Sequence, residues 1–328
     1  MKKALIVGID HYDSSIQNLE GCSAAATKVK SLLATNYQEG VEKGKPNFDC
    51  RILASDDCDS KIKITRAVLK GQIKELFEDE EADVALLFFS GYGFENSLGG
   101  CLMTQDTSEN EEGISFNDIM IYANNSTVKE IIIILDCYYP EVSPRIENKK
   151  VAFASIRKGI NVLTVSNIIS NNEKFRSNVR FPEILCHVLE SGGDDDVLGL
   201  VTMAEVYAYS DRILRPLGHD VSFKSNSARI TVLRIAKPQI HYAILQKMSK
   251  YFYSAHFNYQ LDKECLRSQK STNEFKIKCY KNLQKMVRCG LVKPINEVHM
   301  YYAALHNKHC GLTEKGKQYW KLLKENKI

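Results

Sequence analysis

Runs of apolar residues, separated by helical periodicity, set the reading of the first two thirds of the chain. Ile131 to Leu135 is apolar at every position and β-branched at four of five, which predicts a strand buried on both faces of a mostly parallel sheet. Val84 to Phe89 reads the same way, and shorter apolar runs at Ala4–Ile9, Cys50–Ala54 and Asn161–Val165 predict three more strands. Between them lie stretches with helical spacing: Leu19–Thr35, Lys63–Glu80, Phe116–Ala123, Phe181–Glu190 and Met203–Arg215. Ser115 reads as an N-cap, and Thr202 with Glu205 as a capping box. A hairpin is expected at Gly100–Thr104, and a strand at Arg229–Ile235 is expected to close the sheet. Strand alternating with helix predicts a doubly wound α/β domain over residues 1–236, with Pro238 marking its end.

Beyond that boundary the pattern changes. His241–Ala255, Leu261–Gln269 and Glu274–Cys289 read as helices, the last stopped by Gly290; Val298–Leu305 reads as a strand, and a final helix runs through Trp320. Three helices, a β-hairpin and a last helix make a winged-helix-like α+β domain over residues 237–328.

Charge divides the chain at the same place. Of 44 Lys+Arg and 40 Asp+Glu, 18 and 6 fall from Lys237 onward, so that third carries about +12 and the first 236 residues about −8. Lys276, Lys278, Lys281, Lys285 and Arg288 lie along one predicted helix and are the candidates for following a nucleic-acid backbone; the local alternative is a solvated helix face.

The remaining totals narrow the classes. Ten cysteines at irregular spacing, with no CxxC pair, point to free thiols in a reducing compartment. The grouping of His306, His309 and Cys310 with Cys289 lacks the paired short spacings of a zinc site, so neither metal nor cofactor is expected. The N-terminal apolar run is too short for a signal-peptide core, and none reaches spanning length; a cytoplasmic protein without membrane contact is expected.

Chemistry is expected just past the carboxyl ends of the two strongest strands. Val84–Phe89 leads into Ser90-Gly91-Tyr92-Gly93, and Ile131–Leu135 into Asp136-Cys137-Tyr138-Tyr139. These two strand-and-loop units, with the first strand and helix ALIVGID and NLEGCSAAATKVKSLL, resemble the caspase-like cysteine peptidases, a family that includes metacaspases and bacterial members. In that family the first loop reads SGHG and supplies the general-base His, and the second reads D-[CS]-C-H-S-G and supplies the nucleophilic Cys. The matching positions here are Tyr92 and Tyr138. Pro140 and Glu141 stand where the family has Ser-Gly, and 140–150 where it carries a processing or substrate loop.

The resemblance implies a pseudo-peptidase: a protein- or peptide-binding or regulatory protein, in a bacterial stress or defence setting by family analogy. A phenol is a poor base and a poor nucleophile near neutrality. The alternative is an active endopeptidase using Cys137, one position early and so on the opposite face of an extended segment, with His11 as the rescue base. A third reading is a DNA-binding regulator acting through the basic third. Asp10, His11, Gly91, Gly93, Asp136 and Tyr139 are expected to line the groove, although Asp10 also reads as a loop-capping carboxylate.

Overall fold

The structure, a computed structural model, describes residues 1–13, 16–41, 44–55, 63–96, 99–107, 113–140, 155–169, 180–192, 196–227, 230–266 and 274–328. The chain forms two compact units, Met1–Asp194 with Leu200–Lys237, and Asp195–Gly199 with Pro238–Ile328.

In the first unit the elements run β1 (Lys2–Ile9), α1 (Cys22–Leu33), β2 (Thr35–Asn36), β3 (Lys45–Pro46), β4 (Phe48–Ser55), α2 (Arg66–Phe77), β5 (Val84–Asn96), β6 (Gly99–Leu102), β7 (Ile114–Ser115) and α3 (Phe116–Asn125). There follow β8 (Glu130–Pro140), β9 (Ile160–Ile169), α4 (Phe181–Ser191), β10 (Leu200–Thr202), α5 (Met203–Leu214), β11 (Asp220–Ser225) and β12 (Val232–Ile235). The main sheet has the order β11-β9-β8-β5-β1-β4, parallel except for β11, which lies antiparallel to β9. Ile131, Ile133 and Leu135 pack with α2 and α3 residues such as Leu69, Ile73 and Ile119; Ile132 and Ile134 pack with Ala26, Val29, Leu185 and Val206 of α1, α4 and α5. The uninterrupted apolar run thus serves a sheet covered on both faces, each fully buried Ile contributing about 1.5–3 kcal/mol. Ser115 and Thr202 cap their helices, the latter in a full capping box with Glu205.

Three expectations for this unit need correction. Residues 90–96 and 136–140 are strand, not loop, because β9 pairs with β8 as far as Pro140 and β6 folds back on Gly93–Asn96. Val232–Ile235 does not close the main sheet; it pairs with Leu200–Thr202 in a separate ribbon. The edge strand is β11, DVSFKS, whose polar alternation with a single fully buried residue, Val221, suits an antiparallel edge and gives little apolar signal. Of the processing or substrate loop expected at 140–150, Pro140 ends β8 and the rest lies outside the described residues.

The second unit contains α6 (Tyr242–Leu245), α7 (Met248–Tyr251), β13 (Tyr259–Gln260), a 3-10 turn at Lys263–Leu266, α8 (Glu274–Arg288), β14 (Val292–Pro294), α9 (Met300–Leu305), β15 (His309–Leu312) and α10 (Glu314–Lys324). Its sheet has the antiparallel order β13-β15-β14. Val298–Leu305 was expected as a strand but is helical from Met300, with Met300, Ala303 and Ala304 buried at i, i+3 and i+4 and two alanines favouring the helix. The single helix expected at 241–255 is two short ones, and only the 3-10 turn forms within the described part of 261–269.

The described cysteines are all free. No helix among the described residues is long and apolar enough to cross a membrane.

Candidate functional site

The strand order reverses at β1, between β4 and β5, and the carboxyl ends of β1, β5 and β8 meet there. Along β5 and β8 the register pairs Ser90 with Asp136, Gly91 with Cys137 and Tyr92 with Tyr138. The sequence candidates at these positions therefore share one edge of the sheet, carried on strands.

Asp10 follows β1, and its buried carboxylate accepts from the amides of Cys22 (2.7 Å) and Ser23 (2.9 Å), the first residues of α1. Those amides have no partner within the helix, and a carboxylate also suits the positive end of the helix dipole. Asp10 is a cap. Beside it, His11 is half-buried; its amide donates to Ser55 Oγ (3.5 Å), and its Nδ1 is buried without a hydrogen-bond partner.

Tyr92 is built into the wall. Its amide donates to the Tyr12 hydroxyl (2.7 Å), its own hydroxyl donates to the Gln17 carbonyl (2.8 Å), and the two rings lie 5.1 Å apart between centroids. Burial raises the phenol above its ordinary pKa, which removes it further from use as a base. Gly91 and Gly93 make room for this packing. A Cβ on Gly91 would stand 2.7 Å from the Tyr12 hydroxyl, and one on Gly93 would stand 3.2 Å from the Tyr139 ring and 3.1 Å from Cys137 Cβ.

Asp136 is completely buried and hydrogen-bonded on both oxygens. Ser90 Oγ donates to Oδ2 (2.8 Å) and Asn167 Nδ2 to Oδ1 (2.7 Å), and the Tyr138 hydroxyl lies near the carboxyl. Burial pushes the Asp136 pKa up to about 6, against the Ser90, Asn167 and Tyr138 side chains, which lower it. The Tyr138 phenol is held well above its ordinary range, first by burial and then by the neighbouring carboxylate.

The network extends to β9 and past α5. With its amide nitrogen committed to Asp136, Asn167 turns its carbonyl oxygen to His219 Nδ1 (2.8 Å), which must then carry the proton. His219 Nε2 is left as a buried lone pair with no partner, and burial lowers the imidazole's pKa. Ser90 precedes the Gly91-Tyr92-Gly93 motif and was within reach of sequence reasoning. Asn167 and His219 were not, since only the β8–β9 register and the antiparallel return of β11 bring them near Asp136.

Cys137 faces the other way. Its thiol lies in the core beneath α2 and α3, and burial first, then the Asp136 charge, push its pKa well above the usual thiol value; the Tyr139 hydroxyl opposes them. Cys22, at the start of α1, is likewise raised by burial and lies against Ser90. Among the described residues no imidazole acts on either thiol.

In the second unit, Lys276 is engaged with Asp262 (2.6 Å) and Glu264 (2.9 Å), whereas Lys278, Lys281, Lys285 and Arg288 are exposed on α8. His306 pairs with Glu297, His309 is exposed, Cys310 is buried, and Cys289 donates to the Gln239 carbonyl (3.6 Å). No cluster of three metal-ligating side chains occurs among the described residues.

A solved structure titled "structure of pro-sf-caspase-1" is 14% identical, with a TM-score of 0.45, covering 70% of this chain and 94% of that one. No curated protein matches. The family model for the caspase domain of C14 peptidases matches residues 1–167, just over half of the 328, and the chain belongs to that family.

Proposed function

We propose that this caspase-family chain does not hydrolyse peptides and acts as a binding or regulatory protein, holding a protein or peptide segment over the carboxyl ends of β1, β5 and β8. The observation that carries the reading is the register pair Tyr92–Tyr138: on this reading two phenols occupy the places of the imidazole and the thiol that a cysteine peptidase must bring together. The Tyr92 hydroxyl is tied to the Gln17 carbonyl, and both phenols are held above their ordinary pKa, so neither suits the role of base near neutrality. Cys137 is the nearest sulfur in sequence, and it supports the same reading, being buried on the opposite side of β8 and strongly disfavoured as a thiolate.

The second unit is read as winged-helix-like on the strength of its β13-β15-β14 order and of α8 leading into β14, with α9 inserted between β14 and β15. The test of inactivity is labelling by a panel of electrophilic peptide probes, with Cys137→Ala as the control. Equal, background labelling of both proteins is expected. Labelling of the wild type that vanishes in Cys137→Ala would overturn the proposal.

A further inference from the structure

We infer that the outward face of α8 is a nucleic-acid-binding surface that engages the phosphate backbone through Lys278, Lys281, Lys285 and Arg288. The inference rests on the second unit alone and is independent of whether the first unit is a peptidase.

Cys279, Tyr280, Leu283 and Met286 turn one side of α8 into its core, which leaves the four cations at i, i+3, i+7 and i+10 along the opposite side. From Lys278 to Arg288 that line is about 15 Å long. A helix is also the right width for a duplex major groove.

The decisive feature is that four cations share this face with a single acid, Glu274 at its start. Of the six acidic residues from Lys237 onward, Asp262 and Glu264 hold Lys276, Glu297 pairs with His306, Glu314 with Lys317 and Glu325 with Lys321; the sixth, Glu274, stands exposed at the start of α8, one turn before Lys278. The four stripe cations have no ion pair among the described residues, and the sequence just before the helix, 267–273, adds Arg267 and Lys270 without an acid. Phe275, 72% exposed, lies to one side of the stripe's start and offers a ring to stack on a base. A face built on apolar anchors would suit a protein groove. This one has four cations, one acid at its end and a single aromatic beside it, a net positive line suited to tracking a phosphate backbone.

The experiment is fluorescence anisotropy of the full chain with a labelled duplex, and with one of its single strands, across a salt series. Anionic phospholipid vesicles and polyglutamate serve as the other acidic ligands. Binding to nucleic acid with a log–log salt slope of about −2.8 to −3.6 is expected, each of the four phosphate contacts contributing about −0.7 to −0.9. The variant Lys278→Gln/Lys281→Gln/Lys285→Gln/Arg288→Gln should lose at least about tenfold in affinity at low salt and most of that slope, with an unchanged circular dichroism spectrum. A control with Arg51→Gln/Lys74→Gln, cations of the first unit that pair with Glu75 and Glu78, should bind as wild type. No binding to nucleic acid, a slope unchanged in the quadruple variant, or binding confined to vesicles or polyglutamate would overturn the inference.

Discussion

Tyr92 and Tyr138 are direct register partners on adjacent parallel strands, and the Tyr92 hydroxyl is held by the Gln17 carbonyl from the segment between β1 and α1. Through Tyr138 the pair connects to the buried Asp136, and through the Tyr92 amide to Tyr12. Most of the polar groups buried here are satisfied by one another; His219 Nε2, at the end of the Asp136–Asn167 arm, is a buried atom left without a partner.

That carboxylate gives the fold a recognisable pH dependence. Asp136 has a folded-state pKa of about 6 against an ordinary 3.8, so the folded chain holds its proton more tightly than the unfolded chain. Its contribution to stability is complete below about pH 4 and is lost as pH rises through 6, a change on the order of 3 kcal/mol. The sign is opposite to that of Asp83, whose pKa is lowered to about 2 by Lys129 and the N-terminal amine. Urea unfolding of wild type and Asp136→Asn at closely spaced pH values should therefore diverge between pH 4 and 6, with the variant lacking the decline. Parallel curves would contradict the assignment.

Reactivity of the thiols follows from the same burial. At pH 8 Cys137 and Cys22 are expected to be alkylated at least about 100-fold more slowly in the native chain than after denaturation, since each pH unit below a thiol's pKa costs a factor of ten in thiolate. Peptide mapping after timed iodoacetamide treatment reads this directly. Rapid native labelling of Cys137 would show it accessible and acidic.

Asp10 distinguishes a cap from a pocket wall. Asp10→Ala removes two charge-assisted bonds to the start of α1 and should cost about 2–4 kcal/mol, whereas Asp10→Asn keeps an acceptor and should cost roughly half as much. Equilibrium unfolding of the two variants makes the comparison. A wall residue facing solvent would be replaced at almost no cost.

Gly91 is required by the Tyr12 hydroxyl. Gly91→Ala should destabilise by about 1–3 kcal/mol by displacing that hydroxyl from the Tyr92 amide. Tyr12→Phe removes the same bond, so the double variant should cost clearly less than the sum of the two singles in a double-mutant cycle. Strict additivity would contradict a shared origin.

What the sequence disclosed follows from where signal is strong. The buried parallel strands of the first unit carry unbroken apolar runs, and the caps at Ser115 and Thr202 use side chains whose chemistry is local. Both were legible. The extension of β8 to Pro140 was not, because Asp136 and the two tyrosines interrupt the apolar run, and only the pairing with β9 keeps them extended. The Asn167–His219 arm of the network has no local signature at all. Met300–Leu305 was misread because Met-Tyr-Tyr suits a strand as well as a helix, and the burial of Met300, Ala303 and Ala304 decides it.

The most direct test of the central claim is cleavage itself. Wild-type protein and Cys137→Ala, each incubated with a proteome-derived peptide library and read by mass spectrometry for new termini, should give the same pattern as buffer alone. A set of new cleavage sites present with the wild type and absent with Cys137→Ala would contradict the account.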